Sequence, residues 1–269
     1  MRAVRGLAAL ALSAVLAVPG SAGGTPRALP KPAPCDGCWI PGPVTTWQWQ
    51  LQGKIDRTVD AEAFDVDLFD TRARVVRALH RDGRAVVCYV DAGTWERWRP
   101  DADRFPKSVR GRPNGWPGER WLDVRRLSVL RPIMRARIRL CAKRGFDGVE
   151  FDNVDGYANR TGFPLSGTDQ LRYDAWLANQ AHRSGLSVAL KNDLGQVRRL
   201  LSYFDWALDE QCFQYHECGR LRPFTRAGKA VMEVEYHLAL ARFCPRAERL
   251  GFNAMKKHLA LGAWRRPCG

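Results

Sequence analysis

The sequence predicts an α/β fold made of a single (β/α)8 barrel of the TIM type, and three observations support this prediction. Eight short runs rich in β-branched and aromatic residues occur along the chain, and longer Arg-, Leu- and Ala-rich runs with helical spacing lie between them. A helix–Gly–strand pattern recurs in "HRDGRAVVCYV", "AKRGFDGVEF" and "HRSGLSVAL". Polar residues gather at the carboxyl ends of the β-type runs, where barrels carry their active sites.

These runs define the individual elements. The predicted strands are 46–51, 64–69, 85–90, 148–153, 187–192, 206–210, 230–236 and 252–257. Helices are predicted within "TRARVVRALHRDG", "VLRPIMRARIRLCAKRG", "TDQLRYDAWLANQAHRSG" and "GQVRRLLSYF", and several of them end at a glycine suited to a C-terminal cap. A doubly wound open sheet is the alternative. It usually has fewer strands, and no G-x-G-x-x-G motif follows the first predicted strand.

The first 22 residues have the pattern of a secretory signal peptide. Arg2 and Arg5 precede a short apolar run, and small residues follow it up to Ala22. A membrane anchor is the alternative, although the run is short for a span. Cleavage near Ala22 would leave an extended leader at 23–37, rich in Gly, Pro and Ala, and one (β/α)8 domain at 38–269. The expected location is therefore extracellular, with no membrane contact after cleavage.

Eight cysteines suit an oxidising compartment. Cys212 and Cys218 flank five residues just after a predicted strand, and we expect them to form a disulfide that closes this loop. Cys244 could pair with Cys268, which would fix the C-terminus. Cys88 lies in an apolar strand and could simply be packed in the core. The C-x-x-C of the leader is not expected to be a redox motif.

The formal net charge of +15 favours anionic partners in general. The arginines are nevertheless spread along predicted helices, as in "RRLSVLRPIMRARIRLCAKR", and no nucleic-acid-binding module is recognisable. Solvated helix faces are therefore the preferred interpretation, and we expect no nucleic-acid partner. Attraction to an anionic cell surface stays open.

Strand alternation places carboxylates together on one face. In "GVEFDN", Val149 and Phe151 face the side opposite to Glu150 and Asp152. Because barrel strands present an apolar face to the surrounding helices, we expect the polar face of each strand to point inward. The same division predicts inward-facing side chains at Gln48, Gln50, Tyr89, Asp91, Lys191, Glu233 and Glu235.

Carboxylates across a cleft are the minimum equipment of a glycoside hydrolase, in which one acts as nucleophile or base and the other as acid. Flat aromatic side chains suit sugar rings. Trp95, Trp98 and Trp116 fall in the long segment after the third predicted strand, where they could either contact sugar or pack the loop against the barrel.

Six motifs occur in order: "TWQWQLQG", "VDLFD", "CYVDAGTWE", "GFDGVEFDNVDGY", "LKND" and "DEQCFQY". Together they resemble the secreted endo-α-1,4-polygalactosaminidases of glycoside hydrolase family 114, over about residues 44–260. The resemblance implies a TIM-like barrel and endo-cleavage of α-1,4-linked galactosamine-containing polysaccharide without a cofactor. It implies a catalytic pair of Asp152 and Glu210, and it places Asp91, Lys191 and Glu235 in the polar lining of the cleft.

We expect Asp152 to act as nucleophile or base and Glu210 as general acid, with retention of anomeric configuration favoured by the resemblance. Asp155 lies past the strand and is expected to be a substrate contact or a helix N-cap. The expected substrate-binding residues are Asp91, Lys191, Glu235, Asp155, Gln50, Asp67, Tyr89 and Asn192. We expect no metal and no cofactor, a polysaccharide substrate as the only partner, and a monomer.

Two other classes of function stay open. A metal-dependent barrel phosphodiesterase would need His and acidic ligands together at the strand ends. The five histidines of this sequence do not form such a pair in the early part of the chain. A non-catalytic carbohydrate-binding barrel would keep the aromatic residues and could lack one carboxylate. Turnover of defined oligosaccharides, with and without a chelator, distinguishes all three classes.

Overall fold

A computed structural model describes residues 28–269; the predicted signal peptide and the start of the leader lie outside the described residues. The strands are β1 (Trp47–Gln50), β2 (Ala63–Asp67), β3 (Ala85–Asp91), β4 (Thr94–Glu96), β5 (Arg110–Pro113), β6 (Glu119–Leu122), β7 (Gly148–Asp152), β8 (Ser187–Lys191), β9 (Trp206–Glu210), β10 (Val231–Glu235), β11 (Asn253–Lys257) and β12 (Arg265–Pro267). The α-helices are α1 (Ala73–Arg81), α2 (Leu127–Arg144), α3 (Gly167–His182), α4 (Val197–Leu200), α5 (Arg222–Arg226) and α6 (Leu240–Leu250).

The eight predicted strands form one parallel sheet that curls into a barrel, which confirms the predicted fold. The strand order is β1-β2-β3-β7-β8-β9-β10-β11, and β12 adds to β11 in the antiparallel direction. In the described chain, backbone pairing does not join β1 to β11. Side chains bridge this seam instead: the Trp47 indole donates to the Asn253 carbonyl at 2.8 Å, and Lys257 donates to Gln48 at 2.9 Å.

Two apolar layers hold the barrel. The outer layer packs strand residues such as Val149 and Val188 against helix residues such as Leu130 and Leu171. The inner layer fills the barrel, and it consists of Trp47, Trp49, Ala63, Val87, Ala189, Trp206, Leu208, Ala230, Met232, Val234, Tyr236 and Met255. Burial of this apolar surface is the main source of stability.

The inner layer corrects part of the alternation argument. The polar face points inward at β3, β7 and β8, as predicted, but at β1 and β10 the apolar residues Trp49 and Val234 point inward. Gln50 and Glu235 therefore face away from the barrel interior, as do their neighbours Gln48 and Glu233. The physical reason is that the interior of a TIM barrel is a packed core, and these two strands supply its large side chains.

Several connections differ from the predicted elements. The segment after β3 forms a small antiparallel sheet in the order β4-β6-β5, and the predicted helix over 195–204 is reduced to the single turn of α4. Helix α6 and strand β12 were not predicted. The glycine caps were predicted correctly, since α2 and α6 end at Gly145 and Gly251 in left-handed conformation.

All eight cysteines are paired. The Cys212–Cys218 and Cys244–Cys268 disulfides agree with the sequence analysis, and Cys35 pairs with Cys38. Cys88 is not simply packed: it is bonded to Cys141 of α2, so that a covalent link ties β3 to the helix outside it. Cys88 and Cys141 are 53 residues apart in the sequence, so no local sequence pattern indicated that they pair.

The described part of the leader is extended and lies against α3. Asn179 bonds to the backbone of Lys31 and Ala33, and His182 bonds to the Ala33 carbonyl at 2.8 Å. Within residues 28–269, no helix has the length and apolar character needed to cross a membrane.

Candidate active site

Three neighbouring strands, β7, β8 and β9, end in charged side chains that meet at the carboxyl-terminal mouth of the barrel. The Lys191 ammonium at the end of β8 lies 2.8 Å from Asp152 Oδ1 and 2.9 Å from Glu210 Oε2. A third carboxylate, Glu150, lies one layer deeper with its Oε1 3.2 Å from the same nitrogen. Lys191 occupies the middle strand of the three, so its side chain can reach acids on both sides.

Burial separates the roles of these groups. The Lys191 side chain is 1% exposed and packs with its nitrogen 4.9 Å from the centre of the Trp49 ring. The Asp152 and Glu210 side chains are 19% and 24% exposed. The two carboxylates are therefore accessible to a substrate. The Lys191 ammonium is not, and it contacts both carboxylates from beneath the groove.

Asp152 is held in its ionised form. The Tyr89 hydroxyl donates to Oδ2 at 2.8 Å, and the Asn153 backbone N–H donates to Oδ1 at 2.8 Å. Burial by itself would raise the pKa of Asp152, but the charge of Lys191 and the hydrogen bonds from Lys191, Tyr89 and Asn153 outweigh it and lower the pKa.

A strained turn fixes this strand end. Asn153 has a φ of 60°, in the left-handed region that non-glycine residues rarely adopt. Gly93 passes so close that a Cβ atom there would lie 1.7 Å from the Asn153 carbonyl oxygen. Only glycine fits at position 93, and the close approach lets the Gly93 N–H bond to the Asp152 carbonyl at 3.1 Å.

Glu210 is held by the strands on both sides of β9. The Asn192 side chain accepts from the Glu210 backbone N–H at 3.0 Å, and its amide nitrogen lies 3.5 Å from Oε2. The Tyr236 hydroxyl, from the strand end on the other side, donates to Oε1. Each carboxylate oxygen thus has a donor of fixed position.

The loop after Glu210 is fixed in turn. Cys212 and Cys218 close it covalently. The buried Glu235 carboxylate accepts from the backbone N–H groups of Phe213 and Gln214 at 2.9 and 3.1 Å. The loop therefore holds Glu210, a catalytic candidate, on a firm support.

Two further acids lie beneath the catalytic candidates. Glu150 and Asp65 are both fully buried. Burial raises the pKa of Glu150 to about 7, because the opposing charge of Lys191 does not offset the loss of water and the repulsion from Asp152. Burial, and next the charge of Glu150, raises the pKa of Asp65 well above its usual range. This layer therefore keeps its protons to higher pH than Asp152, which lies above it.

An open groove runs over the strand ends on both sides of Glu210. One half is a cavity of about 550 Å³ that contains Asp152 and Lys191, and the other is a cavity of about 500 Å³ that contains Asp155 and Asp193. The two halves share Trp116, Asn192, Glu210, Tyr236 and Leu259. A chain-like substrate that crossed from one half to the other would therefore pass over Glu210.

Comparison with known proteins gives the family. The sequence profile of Glycoside-hydrolase family GH114 matches residues 29–269. The chain belongs to family GH114. The protein is therefore a glycoside hydrolase, as the resemblance implied.

Solved structures agree with this assignment. The crystal structure of Aspergillus fumigatus Ega3 in complex with galactosamine is 36% identical, covers 86% of this chain and 97% of its own, and superposes with a TM-score of 0.82. The glycoside hydrolase domain of PelA from Pseudomonas aeruginosa is 15% identical over 82% of this chain and 97% of its own, with a TM-score of 0.67, which supports the fold alone. Comparison with curated protein sequences gave no significant match.

The structure of this GH114 chain brings most of the predicted site residues to the groove. Asp152, Glu210, Lys191, Tyr89 and Asn192 form one hydrogen-bonded cluster. Two of the other predicted residues, Asp67 and Asp155, line the groove on opposite sides of this cluster.

Asp67 and Asp91 have structural partners at the groove. Asp67 forms a bidentate ion pair with Arg99, at 2.6 and 2.9 Å. Asp91 lies just below the surface, where it accepts from the Thr94 N–H at 2.7 Å and from the Asn153 side chain at 2.9 Å. Burial, followed by the charge of Glu96, raises the pKa of Asp91 well above its usual range.

Gln50 and Glu235 do not reach the groove. Gln50 bonds to the backbone of Lys54 at 2.9 Å and Asp56 at 3.1 Å, and it fixes the loop after β1. Glu235 supports the loop after Glu210 from outside the barrel. They were predicted as substrate contacts because the polar residues of β1 and β10 were expected to face the barrel interior. In the structure these residues face away from the interior, and the prediction is corrected accordingly.

The groove also contains residues that the sequence argument missed. Tyr236 is two residues beyond Val234 and would have been found if the facing of β10 had been assigned correctly. Glu96, Arg99 and Glu119 come from the small sheet and its turns, which gave no recognisable pattern. Of the three tryptophans considered, Trp98 and Trp116 line the groove and are 51% and 54% exposed. Trp95 instead bonds to the Ala102 carbonyl and packs under Arg110.

Two clusters of the described residues have side chains of the types that bind metals. The first contains Cys35, His182 and Asp205, but Cys35 is in a disulfide and His182 bonds at 2.9 Å to Asp205. The second contains Asp91, Glu96 and Glu119, whose oxygens lie within 4.8 Å of one another. Each of these three carboxylates accepts a hydrogen bond from the protein: from Thr94, Arg99 and Asn114, respectively.

The shifted titration of Glu150 predicts a pH-dependent stability. Between pH 4.5 and about 7 the folded state keeps a proton that the unfolded state loses, so the contribution of Glu150 is full below pH 4.5 and is lost as the pH rises through about 7. The free energy of unfolding of the wild type minus that of Glu150→Gln should fall across this window, by at most roughly 1.4 kcal/mol per pH unit.

Urea unfolding at several pH values measures this difference. Glu248→Gln, at an exposed position on α6, is the matched control and should give a difference that does not vary with pH. A flat profile for Glu150→Gln as well would show that Glu150 titrates at its ordinary pKa.

Proposed function

We propose that the protein is a secreted endo-glycosidase that cleaves α-1,4-linked galactosamine-containing polysaccharide, with Asp152 as nucleophile and Glu210 as general acid and base. The observation that carries this proposal is the pairing of both carboxylates with one buried ammonium at the floor of an open groove. The galactosamine bound by Ega3, at 36% identity, supports the choice of sugar.

The first chemical step transfers the sugar to Asp152. The ionised carboxylate attacks the anomeric carbon while Glu210 donates its proton to the oxygen of the leaving sugar, and the glycosidic bond breaks. In the second step Glu210 takes a proton from water, the water oxygen attacks the anomeric carbon, and the bond to Asp152 breaks. The acid and base roles therefore alternate on one residue.

Lys191 can stabilise the negative charge of the catalytic pair in both steps. Before reaction, Asp152 is the anion of the pair. Once Asp152 carries the sugar it is neutral, and Glu210, which has lost its proton, becomes the anion. The pair holds one negative charge in each state, and the ammonium lies within 2.9 Å of both positions without moving. A fixed charge that matches each stage of a reaction lowers its barrier without reorganisation.

The geometry supports retention of anomeric configuration. Asp152 Oδ1 and Glu210 Oε2 both lie within 2.9 Å of Lys191 Nζ. These oxygens can therefore be at most about 5.7 Å apart, which is below the roughly 6.5–9.5 Å that separates the carboxyl groups of inverting enzymes.

The groove suits a cationic polymer in spite of the basic character of the whole chain. Its lining includes Asp70, Glu119, Asp155 and Glu217, in addition to Asp67 and Glu96, which are paired with Arg99. A carboxylate within hydrogen-bond distance of a sugar ammonium gives a strong charge-assisted contact. Exposed arginines more than a Debye length away are screened by salt, so the local acids determine what enters the groove.

Secretion is supported by the paired cysteines. Four disulfides in one domain need an oxidising compartment, and the first 22 residues have the pattern of a cleaved signal peptide. N-terminal sequencing of secreted material tests this part, and a mature chain that still began at Met1 would contradict it.

Asp152→Asn and Glu210→Gln should each lose at least roughly 10²-fold in kcat on a galactosamine oligosaccharide, the lower end of the acid–base contribution. Both changes are isosteric, so the thermal unfolding midpoint should report a folded protein. Asp103→Asn and Glu248→Gln, at exposed positions that do not line the groove, are the matched controls and should keep full activity. Near-normal turnover by either groove variant would rule out the pair.

Retention predicts that the reducing end released first carries the α configuration. Proton NMR spectra recorded within the first minutes of hydrolysis, before mutarotation, give the configuration directly. Initial release of the β anomer would show inversion, and Asp152 would then activate water instead of bonding to the sugar.

A further inference from the structure

Five arginines surround a single concavity beside the catalytic groove. The cavity has a volume of about 510 Å³ and lies between α4 on one side and α5 with the turn before it on the other. We call it the arginine pocket and define it by Arg198, Arg199, Arg220, Arg222 and Arg226. All five residues are exposed, and no acidic residue lines the cavity.

These arginines have no carboxylate partner within residues 28–269. Elsewhere in the described chain several guanidinium groups are neutralised: Arg99 pairs with Asp67, Arg125 with Asp123, and Arg137 with Asp101. No such ion pair, and no side-chain hydrogen bond, involves any member of the arginine pocket. Five like charges around one concavity repel one another, and a bound anion would relieve this repulsion.

The donor count indicates a ligand with several anionic groups. Each guanidinium offers five N–H donors in a planar fork that matches the oxygens of phosphate. One phosphate group presents three strongly accepting oxygens, which two arginines can satisfy. Five arginines around 510 Å³ therefore exceed what a single phosphate needs.

We propose that the arginine pocket binds consecutive phosphate groups of a linear phosphate polymer. The cavity has no aromatic lining on which a nucleic-acid base could stack, which distinguishes it from single-stranded nucleic-acid sites. Its concave form and the absence of a large exposed apolar side chain from its lining favour a chain over a flat lipid surface.

The site is adjacent to the catalytic groove and distinct from it. The two cavities share Leu194, Gly195 and Arg220, so a bound polyanion would lie alongside the half of the groove that contains Asp155. The binding itself does not depend on the proposed reaction.

Long-chain inorganic polyphosphate is the probe for the test, and binding to the full-length mature protein is measured by calorimetry at several salt concentrations. If about five charges take part, the affinity should fall roughly 10²-fold between 50 and 200 mM salt. Arg198→Gln/Arg199→Gln should lower the slope of log affinity against log salt by roughly 1.4–1.8, the effect of two lost phosphate contacts. Its activity on a short galactosamine oligosaccharide should be unchanged.

The matched control is Arg77→Gln/Arg81→Gln, which removes the same charge from exposed positions on α1. It should leave the slope unchanged. An equal loss in both double variants would show that overall charge, and not the pocket, holds the polymer.

Three other results would also overturn the proposal. Free orthophosphate that competes as well as polyphosphate, at equal phosphate concentration, would indicate a site for a single anion. A single-stranded oligonucleotide of equal charge that binds at least tenfold tighter would indicate a nucleic-acid site. Binding to anionic phospholipid vesicles that polyphosphate does not displace would indicate a membrane surface.

Discussion

The Lys191 ammonium is the interaction on which the rest of the site depends. It lies at the end of the middle strand of three, buried under a groove, with carboxylates on both sides and one below. A single buried acid would be driven to its neutral form by the loss of water. The positive charge keeps Asp152 ionised, whereas the raised pKa values of Glu150 and Asp65 limit the negative charge beneath it. The arrangement thus gives neighbouring acids different tendencies to hold a proton.

The barrel supports this charge distribution through fixed contacts at the strand ends. Tyr89 and Tyr236 donate to the outer oxygens of the two catalytic candidates from opposite sides. The chain turns sharply after β7, β8 and β9, where Asn153, Asn192 and Gln211 adopt positive φ angles. Strained backbone is characteristic of functional sites, where the surrounding structure maintains it. Here the support comes from the close approach of Gly93 and from the disulfide-closed loop.

The sequence predicted the eight barrel strands, and the resemblance to the family pointed to Glu210. The alternation of apolar and charged residues predicted the inward facing of Asp152 and Lys191. It failed at Gln50 and Glu235, because Trp49 and Val234 are as suited to the packed interior as to the outer layer, and hydrophobicity alone does not distinguish the two. The small sheet that supplies Glu96 and Glu119, and the Cys88–Cys141 bridge, depend on contacts between distant segments that no local pattern encodes.

The most direct test of this account is a carboxyl ¹³C NMR titration of Asp152 in the wild type and in Lys191→Met. The account predicts that the pKa of Asp152 lies below its ordinary value of 3.8 in the wild type, because the charge of Lys191 and the hydrogen bonds from Lys191, Tyr89 and Asn153 outweigh burial. Removal of the ammonium should raise that pKa above 3.8, because burial then acts unopposed by the lysine. A wild-type pKa at or above 3.8, or one that does not change in Lys191→Met, would show that Lys191 does not control the charge of the site.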